Sequence, residues 1–334
     1  MSFLVMGCSL PFLDGHRVAN DNGSQNAVSP SQMGAPCAQM SGYEGWYCLD
    51  KAFEVSGTGV SYSVQFRWNR VKRQNRASIV WVLGGNGFGN FRTEYGAKDS
   101  QDFLDRYEAM RSIEIVFVDT YNGQKVNSPY GGGYWKVQTG YKDPAEAYTK
   151  ALEFLIASGI ANGEWITHIG GSNGTMLAAY ALAYHGAERY LARVIFNAGP
   201  FGGDMGRSCL DPDYHAYIGL SESQEAGIRG LVDFWNGWFV EKYCTNQISP
   251  PGNLFAERSL LGTGAVRQYP KLAVHVIMGE KDGYDSWIIA SSKDWYSNIE
   301  AAEKTFDLIP GLGHEMEYDL TTQLARRPPS GSAD

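Results

Sequence analysis

The pentapeptide Gly170-Gly171-Ser172-Asn173-Gly174 sets a serine between glycines two positions before it and two positions after it. The apolar run Trp165–Ile169 precedes it, and the almost wholly apolar stretch Thr175–Tyr184 follows directly. A serine on a strand-to-helix turn can attack a carbonyl carbon as a nucleophile. Such a turn is sharp and its backbone angles are strained. Side chains at the two flanking glycine positions would collide with the strand and the helix. The amino end of the following helix aims its dipole and its first N–H groups at the negative oxygen that develops during attack. In a chain with 40 glycines the pentapeptide alone says little, and a structural glycine turn is the alternative. The strand before it and the helix after it give it chemical meaning.

The elements that must position this serine are legible as patterns. Val60–Trp68 alternates apolar and polar residues, as a half-buried strand does. Nearly continuous apolar runs follow at Ser78–Leu83, Ile113–Asp119, Trp165–Ile169, Ala192–Phe196, Leu272–Met278 and Lys304–Ile309. Between them, Pro144–Ala157 carries apolar residues at helical spacing, with Pro144 near its start and Gly159 beyond its end. Thr175–Tyr184 is apolar nearly all round, which implies a helix buried against a sheet. Alternating buried strands and helices predict a mostly parallel central sheet with helices on both faces, an α/β fold. In such sheets the active site lies beyond the carboxyl ends of the strands.

Composition narrows the function classes. The chain has 334 residues, 43% of them hydrophobic, which is enough for a large core and excludes a disordered protein. The net charge of −8 gives no electrostatic reason to expect nucleic acid. The short basic run from Arg70 to Arg76 reads as a solvated hairpin end. No Cys-x-x-Cys pair is present, so a zinc ribbon is excluded. No apolar stretch approaches the roughly 18 residues of a membrane-spanning helix.

The motif and the alternation together resemble the α/β-hydrolase superfamily, serine esterase type, over about residues 45–200 and 271–325. The resemblance implies a site that runs in the order serine, acid, histidine. Met278-Gly279-Glu280-Lys281-Asp282 follows the fifth core run in the manner of the family's acid-bearing loop, so Asp282 is the expected acid, with Asp285 as the runner-up. Ile309-Pro310-Gly311-Leu312-Gly313-His314 ends the last run, where the family places its general base. Of six histidines, His168 and His275 lie inside strand runs and read as satisfied core residues, His185 ends a helix, and His16 and His215 lie in the leader and the insertion. His314 alone sits on a loop at the correct strand end. Gly84-Gly85-Asn86-Gly87 follows the first core strand, where the family supplies one oxyanion-hole N–H. The family's leading histidine is here Gly84, so Gly85 or Asn86 is the expected donor, with Asn173 supplying the second N–H. The implied chemistry is carboxylic-ester hydrolysis through an acyl-enzyme, with no metal and no organic cofactor. The serine excludes the dehalogenase and epoxide-hydrolase branches, which attack with Asp. A serine peptidase or acyltransferase would use the same site, and a non-catalytic binding protein would keep the fold alone.

Substrate and location are read more coarsely. Tyr130, Tyr134 and Trp135 stud a glycine-rich loop after the second core strand. They form either a wall for a sugar, aryl or polymer group or packing beneath a cap. Residues 201–270 break the alternation before the acid-bearing strand and read as a cap or lid, in which the spacing of Trp235 and Trp238 suggests core packing on one helix face. The expected organisation is a flexible leader over 1–42, a core over 43–200 and 271–328, the cap over 201–270 and a disordered tail over 329–334.

Five cysteines leave one over from any pairing. Two local disulfides are expected, Cys37 with Cys48 and Cys209 with Cys244. Cys8 remains, in the context Leu4-Val5-Met6-Gly7-Cys8, which resembles the end of a bacterial lipoprotein signal. It lacks the basic region and full apolar core of such a signal, so either the true start lies upstream or the match is chance. The expected setting is secreted or cell-envelope, with attachment to a membrane through a lipidated Cys8.

Overall fold

The computed structural model describes residues 35–36, 46–69, 79–82, 112–117, 140–161, 166–200, 202–213, 221–236, 238, 240–282 and 285–327. Among them, nine strands form one sheet in the order β1-β2-β3-β5-β4-β6-β7-β8-β9. The strands are β1 (Ala35–Pro36), β2 (Trp46–Glu54), β3 (Ser61–Asn69), β4 (Ile79–Val82), β5 (Ser112–Phe117), β6 (Thr167–Gly171), β7 (Arg193–Asn197), β8 (Gln268–Gly279) and β9 (Glu300–Ile309). The helices are α1 (Lys142–Ala157), α2 (Asn173–His185), α3 (Met205–Leu210), α4 (Glu222–Asn236), α5 (Leu254–Arg258), α6 (Asp285–Ser297) and α7 (Tyr318–Arg326).

From β5 to β9 every neighbouring pair is parallel. The apolar runs are continuous because the parallel strands are covered on both faces, yet the pleat still divides each run in two. Val80, Val82, Val194, Phe196, Val276 and Met278 join the larger core cluster with α1 and α2. Ile79, Trp81, Ile169, Ile195 and Ile277 point to the other face and pack with Leu324 and Ala325 of α7.

The other edge is antiparallel. Strand β2 was not apparent from the sequence, and it pairs with β3 over its whole length, from Trp46 opposite Asn69 to Glu54 opposite Ser61. Val55 N–H closes the hairpin on Val60 C=O at 2.7 Å. Ala35 and Pro36, inside the expected leader, pair with Cys48 and Tyr47.

Helix α1 begins at Lys142, two residues before Pro144, and Gly159 follows its end with φ 72°. In α2 every residue from Asn173 to Ala183 is buried, as its apolar composition requires. The segment between β7 and β8 carries α3, α4 and α5. A disulfide joins Cys209 of α3 to Cys244, and the Asp233 carboxylate accepts the N–H groups of Cys244 and Thr245, each at 2.8 Å. The insertion packs against α2, where the hydroxyls of Tyr180 and Tyr184 donate to the carbonyls of Arg258 and Ser259 and Val266 N–H donates to Ala183 C=O, and against α6, where Trp287 Nε1 donates to Ser208 Oγ at 3.1 Å. Trp238 is buried, but it lies beyond the end of α4 instead of on the helix face that its spacing to Trp235 suggested. It packs edge-on against Tyr243 and Phe255.

Candidate active site

Ser172 stands at the carboxyl end of β6 as the N-cap of α2, with φ 46° and ψ −115°. An L-residue rarely takes a positive φ, so this turn holds local strain. It is tied down on both sides. Ser172 N–H donates to Asn197 C=O at 2.9 Å, continuing the β6–β7 ladder past the strand end, and Ser172 C=O accepts the Thr175 N–H at 3.0 Å. A Cβ at Gly170 would lie 2.7 Å from His168 Nε2 and 2.9 Å from the carbonyl carbon of Gly174, so only glycine fits.

Asp282 follows β8 and His314 follows β9, and the two loops are laced together by main-chain bonds. Glu280 N–H donates to Ile309 C=O at 3.0 Å, and Lys281 N–H to Leu312 C=O at 2.8 Å. The loops approach so closely that a Cβ at Gly279 would sit 2.1 Å from Gly313 O and 2.4 Å from Leu312 O. Asn197 holds the other end of the histidine loop. Its Oδ1 accepts the Glu317 N–H at 3.1 Å, and its Nδ2 donates to Thr321 Oγ1 at 3.2 Å.

These restraints bring three of the expected residues together. His314 Nε2 is 2.9 Å from Ser172 Oγ, and His314 Nδ1 is 2.8 Å from Asp282 Oδ2. The Asp282 side chain is fully buried, while that of His314 is 29% exposed. A buried carboxylate on Nδ1 leaves Nε2 to face the serine hydroxyl. Asp285, the alternative acid, begins α6, and the carboxylate at the histidine is that of Asp282. Asn173 is the first residue of α2, and its Oδ1 accepts the Tyr141 hydroxyl.

The two histidines inside strand runs are fully buried in the sheet. His168 Nδ1 pairs with the Tyr148 hydroxyl at 2.6 Å, and burial lowers its pKa to about 3. His275 Nδ1 pairs with Thr305 Oγ1 at 3.0 Å, its Nε2 lies 3.9 Å from Glu303 Oε1, and burial lowers its pKa to about 4.

Gly85, Asn86, Tyr130, Tyr134, Trp135, Cys8 and Cys37 lie outside the described residues, as does 329–334. Cys48 is disulfide-bonded. No cluster of three or more metal-ligating side chains occurs among the described residues. No helix among them is long and apolar enough to cross a membrane.

Residues that the sequence did not single out prove to be structural partners of the site. Asn197 closes the apolar strand Arg193-Val194-Ile195-Phe196, and an amide side chain ending a buried strand was its available signal. Tyr141 carried no local pattern that marked it.

The sheet order, the parallel β5–β9 core and the serine turn at the end of β6 define the α/β-hydrolase fold. No protein-family model matches the chain, and no curated protein matches its sequence. Among solved structures it resembles oligopeptidase B from Leishmania major at 13% identity and a TM-score of 0.54, over 85% of this chain and 36% of that one. It resembles an S-formylglutathione hydrolase from Agrobacterium tumefaciens at 10% identity and a TM-score of 0.50, over 84% and 92% of the two chains. It also matches acetyl xylan esterase 1 from Thermoanaerobacterium at 16% identity and a TM-score of 0.46, over 84% and 86%.

Proposed function

We propose that the protein is a serine hydrolase of carboxylic esters, with Ser172 as nucleophile, His314 as general base and acid, and Asp282 as the group that orients the imidazole. The observation that carries this reading is the hydrogen-bonded chain from Ser172 Oγ through both ring nitrogens of His314 to the buried Asp282 carboxylate. A structural glycine turn requires neither the histidine nor the carboxylate.

In the first half-reaction His314 Nε2 takes the Ser172 proton as Oγ attacks the ester carbonyl. Asp282 holds the Nδ1 proton and stabilises the imidazolium that forms. The tetrahedral oxygen lies towards the amino end of α2, where the Asn173 N–H is one donor and the loop with Gly85 and Asn86 supplies the other. Each donor of this kind contributes about 3–4 kcal/mol to the transition state. His314 returns its proton to the departing alcohol. It then activates a water that attacks the acyl-enzyme carbonyl and releases the acid and Ser172. Metal and organic cofactors have no step in this sequence.

The segment 201–270 is read as a cap on this core, and Tyr130, Tyr134 and Trp135 as the wall that receives an aryl, sugar or polymer group. Disulfide bonding at Cys48, Cys209 and Cys244 supports an oxidising, exported setting. Attachment through a lipidated Cys8 fits that setting.

The test is a panel of p-nitrophenyl esters from acetate to octanoate, with matched p-nitroanilides, run on wild type and Ser172→Ala. Ester turnover that disappears in the variant is expected. Equal, poor hydrolysis by both proteins would remove the esterase reading, and turnover of the anilides alone would make the protein a peptidase.

A further inference from the structure

Tyr141 and Asn173 are separated by 32 positions and meet beside the serine turn, where the Tyr141 hydroxyl donates to Asn173 Oδ1. Both side chains are shielded, at 2% and 6% exposure. Asn173 is the residue after the strained Ser172 and opens α2. Asparagine near a helix start readily turns its side chain onto nearby main chain, which competes with the helical geometry. A hydroxyl from another element that occupies Oδ1 fixes the side chain and, through it, the orientation of the first peptide of α2.

Tyr141 is itself well held. It is the N-cap of α1, and its carbonyl accepts the Ala145 N–H at 2.9 Å. Its ring stacks on Tyr180 at 5.5 Å with an interplanar angle of 27°, and Tyr180 lies 6.0 Å from Tyr184. The hydroxyls of Tyr180 and Tyr184 are fixed on the Arg258 and Ser259 carbonyls, so the ladder is pinned at its far end to the insertion.

The geometry points to Tyr141 as a positioning residue for the oxyanion donor: acting through Asn173 Oδ1, it holds the Asn173 N–H in the orientation that the tetrahedral oxygen requires. This rests on the proposed roles of Ser172 and the Asn173 N–H. Oxyanion donors work only within a narrow distance range of the developing charge, so a small rotation of this peptide lowers turnover without altering ground-state binding. Tyr141 bonds to the side chain of Asn173 and not to the reacting atoms. Its effect on the reaction must therefore vanish when that side chain is removed.

The experiment is a double-mutant cycle on p-nitrophenyl butyrate hydrolysis, with thermal melts of every variant. Tyr141→Phe and Asn173→Ala are each expected to lower kcat about tenfold with KM within about twofold, as loss of one buried hydrogen bond allows. The double variant is expected to be no slower than the slower single variant. Tyr184→Phe removes a hydroxyl bond from the same ladder without touching Asn173, and it is expected to keep wild-type kcat. Wild-type kcat in Tyr141→Phe, losses that multiply in the double variant, or an equal loss in Tyr184→Phe would each overturn the inference. If Tyr141→Phe does not fold, Asn173→Ala reads the same bond from the acceptor side, and wild-type kcat there overturns it. Ser172→Ala keeps the two levels apart. If it is as active as wild type, the underlying reading has failed; if it is inactive while Tyr141→Phe is fully active, only the positioning role has failed.

Discussion

Ser172 and Asn197 are joined through the main chain, with the Ser172 N–H donating to the Asn197 carbonyl at 2.9 Å just beyond the β6–β7 ladder. The Asn197 side chain reaches in the other direction, to Glu317 N–H and Thr321, three and seven residues past His314. One fully buried amide thus fixes the serine turn relative to the segment that follows the histidine.

Replacing Asn197 with leucine keeps the bulk and the main-chain bond but strips the Glu317 N–H of its Asn197 acceptor and leaves the Thr321 hydroxyl only its bond to Glu317 C=O. A stability loss of about 1–3 kcal/mol is expected, as for buried polar groups left unpaired. The readout is urea denaturation. A fall in kcat with KM little changed is expected alongside it, since the histidine loop loses one of its anchors.

Gly279→Ala sets a methyl group against two carbonyl oxygens of the histidine loop, at 2.1 and 2.4 Å, and neither belongs to a flexible side chain. Turnover is expected to fall by at least about tenfold as His314 is pushed off the serine. Gly227→Ala is the contrast. Gly227 lies within α4 with open space around its would-be Cβ, so alanine is expected to stabilise the protein by up to about 1 kcal/mol, read as a higher melting temperature with turnover unchanged.

Breaking the disulfide between Cys209 and Cys244, 35 positions apart, releases a long loop in the unfolded chain. A Cys209→Ser, Cys244→Ser double variant is expected to lose about 3–4 kcal/mol in the chain-entropy model. Chemical denaturation under non-reducing conditions measures it.

The buried histidines set the acid side of the stability profile. His168 and His275 titrate near 3 and near 4 in the folded protein, against about 6.5 when unfolded. At pH 5 the unfolded chain therefore holds protons that the folded protein does not, and stability rises with pH through this window. Lowering the pH from 7 to 5 is expected to lower the denaturant midpoint. His275 faces Thr305, Glu303, Asp307, Arg193 and Arg327, and His275→Gln is expected to show a smaller fall over the same interval. A midpoint that is flat from pH 7 to 5 would contradict this.

The site was legible where chemistry is written into short local patterns. Ser172 lies in a glycine turn between an apolar strand and an apolar helix, and Asp282 and His314 end two further apolar runs. The choice between Asp282 and Asp285 was open because the two carboxylates stand only three positions apart and the local sequence does not distinguish them. The loop path depends on long-range contacts, the packing of Gly279 against Leu312 and Gly313 and the main-chain bonds of Glu280 and Lys281 to Ile309 and Leu312. The parallel core could be read from its continuous apolar runs. The pairing of β2 with β3 could not, because Trp46–Glu54 mixes charged and apolar residues in a strand that is exposed at Asp50, Lys51, Ala52 and Glu54. The roles of Asn197 and Tyr141 depend on contacts 120 and 32 positions away, and no local pattern records those.

The most direct measurement is covalent labelling by a fluorophosphonate, followed by intact mass and peptide mapping. A single adduct on Ser172 is expected in the wild type, none in Ser172→Ala, and a strongly slowed reaction in His314→Ala. An unlabelled wild type, or a Ser172→Ala protein labelled as fast as the wild type, would contradict the assignment of Ser172 as the nucleophile.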